Sequence, residues 1–151
     1  MKNLLFTLAG IATLALAGCD NDDDDVTNSV EPTATRTEII ASNDWIMASS
    51  IQTESGRTVD LLAAQPATAQ DDVFKFQPTG EVRREEGATK EMGNSDVVDT
   101  GTWVFMNEEK DLKVDLKSMP VNDQIVELTR ERLVLRNFDG IKETLTTFQA
   151  E

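Results

Sequence analysis

From residue 45 onward the sequence has no helical apolar period sustained over ten residues, and that constrains its fold more than any single motif. It offers short alternating runs, each closed by turn residues. The first covers residues 45–51, and a short piece follows at 59–62. Residues 73–76 put Phe74 and Phe76 on one face, and Gln77-Pro78-Thr79-Gly80 then reads as a turn, with proline presetting φ and glycine supplying a positive φ. Residues 81–86 return as a polar strand. Residues 101–105 place Trp103 beside Phe105 on one face, and a turn is expected at 107–110. Leu112, Val114 and Leu116 then alternate with Lys113 and Asp115. Further runs lie at 125–128 and 133–138. Asp139-Gly140 is the strongest hairpin signal, suited to a type I′ turn, and residues 141–149 form a closing strand. About eight strands joined mostly by short turns predict an all-β, antiparallel up-and-down barrel. Closure would also hide the sheet edges. An open sandwich is the alternative.

The segment before this region has a different character. Lys2, an apolar run over residues 4–17 and a small-residue site have the layout of a cleavable export signal. The apolar run is shorter than the ~20 residues that cross a bilayer as a helix, and acidic residues follow it. Leu16-Ala17-Gly18-Cys19 matches the bacterial lipobox, which predicts removal of residues 1–18 and acylation of Cys19, with palmitate among the expected chains. Asp20, Asp22, Asp23, Asp24 and Asp25 open a stretch poor in apolar residues that is expected to be a disordered tether through residue 43. The predicted organisation is a signal at 1–18, a lipidated cysteine and tether at 19–43, and a folded domain at 44–151.

Composition narrows the chemistry. Cys19 is the only cysteine, so no disulfide can form within the chain, and stability must come from packing. Without the signal, 133 residues remain, enough for one domain with a real core. They carry 28 acidic against 13 basic side chains, since Lys2 leaves with the signal; the formal charge of −14 becomes −15. Such an excess repels nucleic acid, which is excluded as a partner. Histidine is absent, as is any thiol beyond Cys19, which removes histidine-based triads, thiolate catalysis and His/Cys zinc sites. No cofactor or metal is implied.

Carboxylate catalysis would need an acid and a base facing one substrate. Asp71-Asp72, Glu85-Glu86 and Glu108-Glu109 are adjacent pairs, and neighbours on a strand point to opposite faces. They fit a charged surface better, as do Arg83-Arg84, Arg130, Arg132 and Arg136. A non-enzymatic protein is expected. In a barrel of this size the interior either fills or holds one small ligand. Trp45, Phe74, Phe76, Trp103 and Phe105, with Val114, Leu116, Leu133 and Leu135 behind them, either line such a cavity or constitute the core.

Several of these stretches resemble the small lipocalin-like domains of secreted and lipid-anchored Bacteroidetes proteins. The carriers are Asp71-Asp72-Val73-Phe74-Lys75-Phe76, the turn to Gly80, Glu86-Gly87-Ala88-Thr89-Lys90, Gly101-Thr102-Trp103, Leu112-Lys113-Val114, and Val126-Glu127-Leu128-Thr129 leading to Leu133-Val134-Leu135. Trp45 stands where a tryptophan opens the first strand of lipocalins. The resemblance spans residues 43–149. It implies a monomeric barrel held to the membrane of the cell envelope through Cys19, binding a small apolar ligand or an envelope protein. The acidic residues after Cys19 resemble the signal that sends such lipoproteins to the outer membrane and its outer surface. Inhibition of a protease or lysozyme is the alternative function that the resemblance implies.

Overall fold

The computed structural model describes residues 33–90 and 96–151. The folded unit runs from Thr33 to Glu151. Among the described residues the strands are β1 (Asp44–Glu54), β2 (Arg57–Asp60), β3 (Val73–Phe76), β4 (Glu81–Glu85), β5 (Val97–Met106), β6 (Asp111–Asp115), β7 (Val121–Leu128), β8 (Arg132–Phe138) and β9 (Lys142–Ala150). From β3 to β9 each strand pairs antiparallel with the next. β1 pairs with β3 along residues 44–46 and with β9 from Trp45 to Glu54, so eight strands close into the expected up-and-down barrel. β2 stays outside this cycle and folds back on the second half of β1.

The alternation legible in the sequence sorts side chains as expected. Leu112 and Val114 are buried while Lys113 and Asp115 are exposed. Gly101 has a steric reason: a Cβ there would lie 1.9 Å from the carbonyl oxygen of Asp115, so only glycine lets β6 turn inward to bury Leu116. One turn is unanticipated, and another departs from expectation. Ser55 and Gly56 both have positive φ, +49° and +79°, which is the type I′ pattern. Between Asp139 and Lys142 only Gly140 has positive φ, and Phe138 pairs with Glu143, so the expected type I′ turn on Asp139-Gly140 is corrected to a longer connection. The cause is the Asp139 carboxylate, whose Oδ1 accepts from the amides of Ile141 and Lys142 at 2.9 and 2.8 Å and holds the longer turn.

The tether expected through residue 43 also needs correction. From Thr33 the chain is part of the folded unit, and Arg36–Ala41 forms a short helix, α1. Thr35 caps it: its hydroxyl oxygen accepts from the Glu38 amide at 3.2 Å, while the Glu38 carboxylate accepts from the Thr35 amide at 2.7 Å. Ile40, on the last turn, is fully buried. α1 covers the end of the barrel where β1 starts, and its Arg36 guanidinium lies 5.7 Å from the centre of the Phe105 ring.

The core fills this closed end. Trp45, Phe76, Val82, Leu112, Leu116 and Leu133 are buried around Ile40. Phe76, Trp103 and Phe105 form a chain of edge-to-face contacts with centroids 5.7 and 5.2 Å apart, the arrangement that aromatic quadrupoles favour. Phe74 meets Phe148 the same way at 5.4 Å.

Candidate binding site

Toward the opposite end the inward faces of β1, β8 and β9 change character row by row. Met47 is opposite Phe148, which is opposite Leu133; this row is apolar. One row higher, Ser50 is opposite Thr146, their hydroxyls 3.2 Å apart, with Leu135 alongside. Higher still, Gln52 is opposite Thr144 and Thr144 opposite Asn137, whose amide donates to Asp123 Oδ1 at 2.6 Å. The interior therefore grades from aromatic floor to polar rim.

A β-bulge produces this grading. Strict alternation from Trp45 would point Ser49 and Ile51 inward. The register shifts between Met47 and Ser49, and Ser50, buried, takes the inward position instead.

The strands stand apart enough here to leave a hollow of about 320 Å³, within the lower range of small-molecule sites. Met47, Leu135 and Phe148 form its floor; Ser50, Asp123, Asn137, Thr144 and Thr146 ring its wall. Leu61 and Gln65 from the β2–β3 connection and Met119 and Pro120 from the β6–β7 connection lean over it. A smaller chamber of about 130 Å³ shares Met47, Gln65 and Met119 and reaches Phe74, Ala69, Ser118 and Arg84. Two other depressions, about 330 and 410 Å³, lie by the turn at 77–80 and are lined partly by outward residues of β5 and β6, including Val104 and Lys113.

The charges in the hollow are unequal. Arg84 was expected on a solvated face, with Asp72 among surface carboxylates; both are inside instead, their side chains 14% and 3% exposed. Arg84 Nε and Nη2 each approach Asp72 Oδ2 at 2.6 Å, and the guanidinium lies 5.9 Å from the Phe74 centroid. The inward register of β4 explains the placement, because Arg84 is directly opposite Phe74. Asp123, by contrast, forms no ion pair among the described residues. Asp71 serves the loop below β4, accepting from the Thr89 amide at 2.8 Å. Its backbone lies so close to Gly87 that a Cβ there would be 2.0 Å from the Asp71 carbonyl oxygen. No cluster of three or more Asp, Glu, His or Cys among the described residues is placed to hold a metal ion.

The aromatic and aliphatic candidates from the sequence come together in one core. Trp45, Phe76, Trp103, Val114 and Leu133 are buried in it, and Phe105 is partly buried against it. Leu135 lines the larger hollow and Phe74 the smaller. The polar wall is what sequence reasoning missed. Cys19, Asp20, Asp22, Asp23, Asp24 and Asp25, and the signal at 1–18, lie outside the described residues.

No family model matches the sequence, and no curated protein matches it. Among solved structures the fold is similar to a lipocalin-like protein from Bacteroides uniformis, with a TM-score of 0.50 and 12% identity over 74% of this chain and 99% of that one. At that identity the likeness is one of fold, and together with the closed eight-stranded antiparallel sheet it makes this chain a lipocalin-like β-barrel.

Proposed function

We propose that this chain is a non-enzymatic binding module of the cell envelope, holding one small amphipathic molecule in the open end of its barrel. The observation that carries the reading is the graded interior: an apolar floor at Met47, Leu135 and Phe148 under a ring of hydroxyl, amide and carboxylate groups. An apolar floor supplies burial energy, and a few fixed polar groups orient what is buried. The sequence expectation of an apolar ligand is thereby modified to one with a polar end. Lipocalin-like barrels generally serve binding rather than catalysis, which supports the same reading.

The anchor belongs to this proposal and rests on the lipobox at Leu16-Ala17-Gly18-Cys19. Acyl chains on Cys19 would hold the protein to the outer membrane, with the acidic run after it directing exposure at the surface. Labelled palmitate should enter the wild-type chain and not a Cys19→Ser variant. Alanine at Asp22, Asp23, Asp24 and Asp25 should remove protease accessibility on intact cells; unaltered exposure would reduce the run to a spacer.

The binding reading is tested with an apolar fluorescent probe and with mass spectrometry of small molecules released from protein purified from its own host. Folded wild-type protein should take up the probe, and Thr146→Phe, which fills the hollow, should abolish uptake while leaving circular dichroism unchanged. No uptake by the native protein, or equal uptake by the filled variant, would overturn it.

A further inference from the structure

Asp123 is the charged side chain among the described residues lining the larger hollow. It lies on the inward face of β7 and lines the larger hollow, and its described side-chain partner is neutral, the Asn137 amide at 2.6 Å. No lysine or arginine lines that hollow. Arg84, which reaches the adjoining chamber, is already held by Asp72 through Nε and Nη2. Among the described residues, the lining of the larger hollow therefore presents one carboxylate without a counter-ion, and the chain's net charge of −14 adds a field of the same sign.

We propose that the hollow selects a small organic ammonium with an apolar tail. The inference rests on the binding reading above and names its ligand class. A primary ammonium carries three donors and needs acceptors around it. Asp123 supplies the charged acceptor, and the Thr144 hydroxyl, one strand beyond Asn137, supplies another at the same height on the wall. The tail then points down the grading toward Leu135 and Phe148. A ligand carboxylate in the same place would face Asp123 at reduced dielectric, where like charges repel strongly and nothing compensates. A neutral alcohol escapes that repulsion and can donate its one O–H to the carboxylate, but it lacks the ammonium's opposite charge and its two further donors.

Octylamine, octanol and octanoate share one tail and differ only in the head group, so competition of each against the fluorescent probe at pH 7 isolates the charge. With wild-type protein the amine should bind at least about tenfold tighter than the carboxylate, equivalent to ~1.4 kcal/mol, with the alcohol between them. In Asp123→Asn, which keeps an oxygen to accept from Asn137, the difference between amine and carboxylate should shrink to about threefold or less, with alcohol binding changing less than amine binding. The wild-type rank order stands as a test even if the variant folds poorly. Octanoate binding as tightly as octylamine, or a preference that survives Asp123→Asn, would overturn the inference and leave the binding reading intact. Failure of all three to displace a bound probe would overturn the inference on its own. Failure of the protein to bind any apolar probe would remove both.

Discussion

The Trp45 indole donates its Nε1–H to the main-chain carbonyl of Ile40 at 2.7 Å, both residues fully buried. This bond ties the last turn of α1 to the first strand. A six-residue helix is too short to be stable alone, so α1 exists because its end is fastened and Ile40 is in the core.

Ile40→Ala should therefore cost about 2–4 kcal/mol, the usual range for truncating a buried aliphatic side chain. Thr35→Ala, which removes only the cap, should cost about 1 kcal/mol. Urea unfolding followed by tryptophan fluorescence measures both. An Ile40→Ala midpoint indistinguishable from wild type would mean that the helix is an ornament on a barrel complete without it.

How far the sequence makes this legible depends on the range of the interactions. The barrel is readable because Leu112, Val114 and Leu116 alternate locally and because Gly80 and Gly140 mark turns. α1 leaves a local trace, the capping-box spacing of Thr35 and Glu38, but it is shorter than the window in which helical periodicity shows. The polar wall leaves none. Ser50 faces inward because β1 bulges after Met47, and it meets Thr146 across 96 positions of sequence, a pairing that only barrel closure creates. Arg84 reads as one of two surface arginines, and only its register opposite Phe74 reveals which of them turns inward.

The Arg84–Asp72 pair should behave as a unit. Removing the arginine leaves a buried carboxylate whose other oxygen, Oδ1, already has no hydrogen-bond partner. Arg84→Met should thus cost about 3–5 kcal/mol. Adding Asp72→Asn removes the stranded charge, and the double variant should be more stable than Arg84→Met alone. A double-mutant cycle from chemical denaturation gives the coupling directly. Additive costs would show that the two groups do not depend on each other.

Acid should loosen the rim of the hollow before it unfolds the floor. The Asp99 carboxyl is held below its ordinary value, chiefly by the Ser118 amide, which donates to its Oδ2 at 2.8 Å, with further help from the Ser118 side chain, the Thr100 amide and Lys117. Asp139 is lowered likewise by the amides of Lys142 and Ile141. A carboxyl depressed in the folded state stabilises it fully above the unfolded value, ~3.9 for aspartate, and loses that contribution as pH falls through the lower folded value. Stability should be flat in these groups near pH 7 and decline below about pH 4. Asp99→Asn keeps an acceptor for Ser118 but no charge, so its unfolding midpoint should be lower at pH 7 and converge on wild type in acid. Ser118 leads into Met119 and Pro120, which lean over the hollow, so probe affinity at pH 7 should also fall in this variant. Unfolding and probe titrations at pH 7 and pH 3 on both proteins measure the two effects. Midpoints that differ by the same amount at both pH values would show that the Asp99 charge contributes nothing to holding this segment.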